Sequence, residues 1–174
     1  MSKPSWLLRA PPAAAVFAAS LALYVSTLAP GMLRGDSGEF QWAMASLNVA
    51  HATGYPLYTL IGHAWLQLPL PGLPAWRLNL LSALFGAGAV MMVTILGWKL
   101  TRRIDAALAG AAFFAVAPVF WFNASILEVY TLNAFLLAHI LFLLIRWGET
   151  PVAQRTDTPL FAAFFVIGLS LAHH

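Results

Sequence analysis

Residues 78–98, LNLLSALFGAGAVMMVTILGW, carry no charged side chain and match the roughly 20 apolar residues that a helix needs to cross a bilayer. Arg77 and Lys99 bracket the run. Working outward, comparable stretches cover residues 106–122, 130–147 and 160–174 on one side and 11–29 on the other. The reading is an all-α, polytopic membrane protein with five transmembrane helices, the last one incomplete at residue 174. Composition agrees with it. Of the 174 residues 61% are hydrophobic and 9% charged, against about 45–50% and about 25% in a soluble domain. That excludes a soluble enzyme, a disordered linker and a nucleic-acid binder. The absence of cysteine excludes disulfides, thiolate metal ligands and a cysteine nucleophile.

The net charge of +3 is read here by position. Lys3 and Arg9 precede the first run, Lys99, Arg102 and Arg103 lie between the second and third, and Arg146 and Arg155 between the fourth and fifth. Only Arg34 and Arg77 fall on the opposite side, so alternation of five spans gathers the basic loops in the cytoplasm with the N-terminus. Residues 11–29 follow two basic residues and end in Thr27-Leu28-Ala29, like a signal peptide. Their length and the spans behind them favour an uncleaved anchor. Phe120, Trp121 and Phe122 at an outer end, with Trp98 and Trp147 at inner ends, fit aromatic belts. Ser82 with Gly86, and Ala107 with Ala111 and Ala115, repeat small residues every four positions, a helix-packing pattern. Residues 1–174 thus form a single membrane domain.

The outer loop, 30–77, is too long for a simple connection, and it holds two helical pieces too short to span. In the first, Phe40, Ala43, Met44 and Leu47 form a stripe while Gln41, Ser46 and Asn48 lie off it. The second starts at Pro56 and ends near Leu68, ahead of Pro69, Pro71, Gly72 and Pro74. Both are expected as interfacial helices on the outer leaflet. Asp36 and Glu39 open the first one. Their spacing is that of a capping box, in which both carboxylates tie down free N–H groups. A carboxylate at a helix N-terminus between flanking glycines could equally act as a base on a close substrate, and the residues leave both readings open.

Other polar residues gather at the same face. Glu128 lies just outside the fourth span, where a solvated loop carboxylate is the plain alternative. His173 and His174 stand about 20 Å along the fifth span from Leu160, and ionisable residues within a span point to function. His139 lies deeper and suits a bond to a neighbouring helix, His63 an interfacial position. Asn123-Ala124-Ser125 matches a glycosylation sequon close to the membrane.

Gly35-Asp36-Ser37-Gly38-Glu39-Phe40, Ala50-His51-Ala52-Thr53-Gly54-Tyr55-Pro56-Leu57-Tyr58, and Arg77-Leu78-Asn79 with Ser82-Ala83-Leu84-Phe85 together resemble the protein O-mannosyltransferase-like family of polytopic membrane proteins, relatives of the GT-C glycosyltransferases. Glu128-Val129-Tyr130-Thr131-Leu132-Asn133 and Gly168-Leu169-Ser170-Leu171-Ala172-His173-His174 extend the likeness over nearly the whole chain. The resemblance implies a GT-C-like fold and an inverting, metal-independent transferase that uses a lipid-linked sugar. It makes Asp36 the catalytic carboxylate and Glu39 its neighbour. Arg34, His51, Tyr55, Glu128, His173 and His174 become the substrate-binding candidates, with no metal ligand and no cofactor beyond the polyprenyl-phosphate sugar as donor substrate. Where the family commonly has His-Pro-Pro-Gly, this chain has His51-Ala52-Thr53-Gly54, which keeps the histidine and changes the turn. Relatives carry more spans and an outer domain, so the chain is expected to be the N-terminal part of a longer transferase.

The function expected is transfer of mannose or another hexose from a polyprenyl phosphate to a hydroxyl on a protein or glycan acceptor. Asp36 would deprotonate the hydroxyl, and Arg34 with the histidine pair would meet the leaving phosphate. The partners are then the lipid bilayer, the lipid-linked donor and the acceptor, with no nucleic acid. The expected location is a bacterial inner membrane, N-terminus cytoplasmic and active face periplasmic. Two rivals stand beside this reading. A secondary transporter or proton relay would place its ionisable groups near the bilayer midplane, and a non-catalytic protein would bind polyprenyl phosphate without turnover.

Overall fold

The fold, a computed structural model, describes residues 11–173. Lys3, Arg9 and His174 lie outside the described residues. Among the described residues, eight α-helices follow one another: α1 (Pro11–Ser26), α2 (Asp36–Ser46), α3 (Pro56–Leu66), α4 (Pro74–Thr101), α5 (Ile104–Val116), α6 (Pro118–Ser125), α7 (Tyr130–Glu149) and α8 (Thr158–His173), with a 3-10 turn at Val152–Gln154. No strand occurs among them.

Helix α4 is the hub, packed against α1, α5 and α7, while α8 leans on α7. Small side chains let these backbones approach. A Cβ on Gly86 would stand 3.0 Å from the Ala124 methyl and 3.3 Å from the Tyr24 ring, and one on Gly97 3.2 Å from the Ala107 Cα. Ala107, Ala111 and Ala115 are all buried, as their four-residue spacing predicts.

Helices α4 and α7 are long and apolar enough to cross a membrane. Residues 106–122, expected as one span, are instead two helices, α5 and α6, that meet at 63°. Pro118 causes the break. Its ring removes an N–H and forces the preceding residue out of the helical region, and Ala117 sits at φ −57°, ψ 123°. Counting that pair as one crossing gives three, and α1 and α8 are shorter apolar helices. A membrane helical protein is therefore what the fold supports.

The two ends of the bundle differ. At one, Lys99 of α4 pairs with Glu149 of α7, which brings the turn carrying Arg102 and Arg103 beside the end of α7, with Arg146 in its last turn and Arg155 in the segment that follows. At the other, the Ala29 N–H donates to the Ser125 carbonyl at 2.9 Å, and α2 and α3 pack on each other and on α4. Phe40, Ala43 and Met44 of the expected stripe are buried, whereas Leu47 caps α2 in the left-handed region and is exposed. Gln41, expected off the stripe, is buried too. Its amide donates to Asn79 Oδ1 at 2.8 Å, and Asn79 in turn donates to the Ala29 carbonyl at 2.9 Å. A buried amide tolerates such a site because its polar atoms are matched. Arg77 closes α3, donating to the carbonyls of Trp65, Leu66 and Leu68 at 2.5–3.2 Å. The Leu66 carbonyl is one of those that a helix end leaves without an intrahelical partner.

Candidate functional site

Helix α2 opens on Gly35, whose φ of +74° suits glycine. No side chain caps the helix there, and Asp36 is its first residue. The capping-box reading therefore fails. The Glu39 carboxylate holds His51, accepting from its backbone N–H at 2.6 Å and lying 3.0 Å from its ring Nδ1. A carboxylate only accepts, so Nδ1 carries the proton in this contact and Nε2 is left for other chemistry. His51 is kept in place by the turn to Gly54, whose N–H donates to the His51 carbonyl at 2.7 Å. The Tyr55 ring lies 5.3 Å from the imidazole and 5.0 Å, edge on, from Phe40. Asp36, Glu39 and His51 each offer a ligand atom within 4.8 Å of the others, a grouping able to hold a metal ion.

Glu128 joins this group from the connection between α6 and α7. Burial raises its carboxyl pKa above the ordinary value and the charge of Asp36 raises it further, against smaller lowering effects from the Val129 N–H and from His51. The backbone around it is held from beneath. Tyr58 Oη donates to the Glu128 carbonyl at 2.8 Å, and Ser82 Oγ accepts from the Glu128 N–H at 3.2 Å. His173 Nε2 lies 2.9 Å from the Val129 carbonyl. Burial pushes the Tyr58 hydroxyl above its ordinary pKa, opposed by Ser82 and reinforced by Glu128, so it remains a neutral donor.

The structure thus brings Asp36, Glu39 and His51 together, with the Tyr55 ring against His51 and Glu128 near enough to feel the charge of Asp36. Arg34 is exposed next to Gly35. His173 is fully buried beneath the group, and His174 is outside the described residues. His63 bonds the Met44 carbonyl through Nδ1 at 2.9 Å, tying α3 to α2. His139 lies beside Phe135 within α7. Tyr58 and Ser82 are the site residues that sequence reasoning misses. Ser82 reads as a small packing residue, yet a hydroxyl on an apolar helix is itself a signal that a bond is made there.

The family model for the protein O-mannosyl-transferase TMEM260 N-terminal domain matches residues 36–174, so the match begins at Asp36. The chain belongs to this family. Protein O-mannosyl-transferase TMEM260 of Mus musculus is 33% identical over 159 residues, which is 91% of this chain and 23% of the mouse protein. Its counterpart in Dictyostelium discoideum is 27% identical over 130 residues, 74% of this chain and 16% of that protein. The chain therefore spans about a quarter or less of the TMEM260 relatives it matches. Both are eukaryotic proteins, and neither places the chain in a bacterial inner membrane. No solved structure matches it. Within the TMEM260 family match fall all four clustered residues, Asp36, Glu39, His51 and Glu128.

Proposed function

We propose that this chain forms the acceptor side of a membrane O-mannosyltransferase, moving mannose from a polyprenyl-phosphate donor to a hydroxyl at the non-cytoplasmic face. The carrying observation is the convergence of Asp36 with the Glu39–His51 pair at the bundle end opposite the Lys99–Glu149 contact, with Glu128 near enough to feel the charge of Asp36. The mannose assignment is supported by the names of the relatives. Five spans of a GT-C-like arrangement, with α2 and α3 on the outer leaflet, complete the proposal.

A hydroxyl is a weak nucleophile until a base accepts its proton, an effect of about 10²- to 10⁴-fold. Asp36, exposed at the first turn of α2, takes that role. The hydroxyl oxygen bonds to the anomeric carbon while the carbon–phosphate oxygen bond breaks on the opposite face, which inverts the centre. The proton goes to the Asp36 carboxylate, and the phosphate leaves with the electron pair. Glu39 orients the His51 ring, whose Nε2 hydrogen-bonds the incoming sugar or hydroxyl. Arg34 offers a cation to the departing phosphate. Among the described residues no Asp or Glu lies in the middle of a span, which speaks against a midplane proton relay.

The test uses the full-length protein with a polyprenyl-phosphate mannose and a hydroxyl-bearing peptide. Asp36→Asn is expected to lower kcat at least about tenfold with normal folded yield. Undiminished turnover would remove the catalytic assignment. Transfer is expected to survive exhaustive chelation. A loss restored by a divalent cation would instead assign Asp36, Glu39 and His51 as ligands.

A further inference from the structure

Glu128 sits on a connection between helices, where a long carboxylate side chain ordinarily swings into water. Here its peptide is fixed on both sides. Its carbonyl lies just before the α7 hydrogen-bond ladder and has no helical partner, yet it accepts from Tyr58 Oη at 2.8 Å. Its N–H donates to Ser82 Oγ at 3.2 Å, and the two hydroxyls lie 3.2 Å apart. Behind them His173 Nε2 meets the Val129 carbonyl at 2.9 Å, and its ring packs edge on against Tyr58 at 5.4 Å. Tyr58, Ser82 and His173 are all 0% exposed, so each is turned into the bundle. Three separate elements, α3, α4 and α8, thus direct buried polar groups at one dipeptide. Buried hydrogen bonds of this kind specify a geometry more than they add stability.

We propose that Tyr58 and Ser82 are positioning residues for Glu128, clamping its peptide so that the carboxyl group stays beside Asp36 and His51. The inference rests on the transferase reading above and adds Glu128 to it as a group held against the acceptor. Asp36 from α2 and His51 from the following turn act on the Glu128 carboxyl group, Tyr58 from α3 bonds its carbonyl, and His173 from α8 bonds the adjacent Val129 carbonyl. Freed from the clamp, the carboxyl group would move toward solvent and away from Asp36, and it would titrate nearer the ordinary glutamate range.

Full-length protein in lipid decides this by infrared pH titration. The protonated-carboxyl band removed by Glu128→Gln is assigned to Glu128, and its midpoint is then followed in variants. Tyr58→Phe keeps the ring and removes the bond. The expected result is a lower midpoint and a kcat reduced about tenfold, with the donor KM unchanged. Adding Tyr58→Phe to Glu128→Gln should bring no further loss, because the clamp acts only through that carboxyl group. Tyr24→Phe is the control, since Tyr24 Oη makes a comparable buried bond to the Ala115 carbonyl at 3.0 Å in another part of the bundle. It should lower stability and leave the midpoint unchanged. If Tyr58→Phe does not fold, Ser82→Ala is read in the same way. An unchanged midpoint, additive losses, or failure of both variants to fold would overturn the positioning role. A shifted midpoint in a protein that transfers no mannose would uphold the clamp and sink the transferase reading.

Discussion

Glu128 is held where its charge is costly, and that cost has a testable sign. Its folded pKa is raised by burial and by Asp36, so the folded state binds the proton more tightly than the unfolded chain does. The stability this contributes is present below the ordinary glutamate pKa and is lost as pH rises through the folded value. Glu128→Gln should therefore raise Tm at pH 7, and the gain should disappear as pH falls below the ordinary carboxyl range. A thermal-shift series across pH checks it, and a gain equal at every pH would refute the electrostatic account. Such a trade, a stabilising change at the expense of activity, is what functional carboxylates show. At this scale the sequence is half legible. Asp36 and Glu39 stand out by motif, but their capping spacing is shared with ordinary helix starts. Only the fold shows Glu39 turned to His51. Ser82 is opaque because serine serves packing and hydrogen bonding alike.

Glycine contacts separate the helices that need close approach from those that do not. A Cβ on Gly38 would lie 2.0 Å from the Leu33 carbonyl oxygen, a backbone atom that cannot step aside. Gly38→Ala should therefore push α2 off the preceding turn and displace Asp36 and Glu39 with it. The expected cost is about 1–3 kcal/mol, the usual range for overpacking. A Cβ on Gly110 would meet nothing within 4 Å, so Gly110→Ala in α5 should be neutral or stabilising by up to about 1 kcal/mol. Unfolding midpoints of the two variants in detergent test the contrast, and equal shifts would contradict it. The helices themselves are readable from apolar length, and Pro56 announces the start of α3. The break at Pro118 escapes such a reading, because an apolar run with one proline still looks continuous when only hydropathy is counted. Gln41 is misplaced for a related reason. A polar side chain is assigned to the wet face until a buried partner, here Asn79 from a distant helix, is seen.

The two ends of the molecule differ in charge, and the proposed orientation across the membrane rests on that difference. Arg102, Arg103, Arg146 and Arg155 gather at the end where Lys99 meets Glu149, while Arg34 adjoins Gly35 at the start of α2 and Arg77 is bound at the end of α3. Basic loops stay in the cytoplasm, so the cluster should face the other way. The chain has no cysteine, which makes single-cysteine labelling clean. Sites must also be accessible: Ser37 and Ser125 lie in outer segments but are 3% and 8% exposed, too buried to report. Val49 at 73% and Val152 at 81% are open positions at opposite ends. Val49→Cys should react with an impermeant maleimide on sealed, right-side-out membranes, and Val152→Cys only after permeabilisation. The reverse pattern would invert the protein and put Asp36 on the cytoplasmic side. The acceptor would then have to be a cytoplasmic hydroxyl, and the arrangement of donor lipid and carboxylates proposed here would no longer hold together.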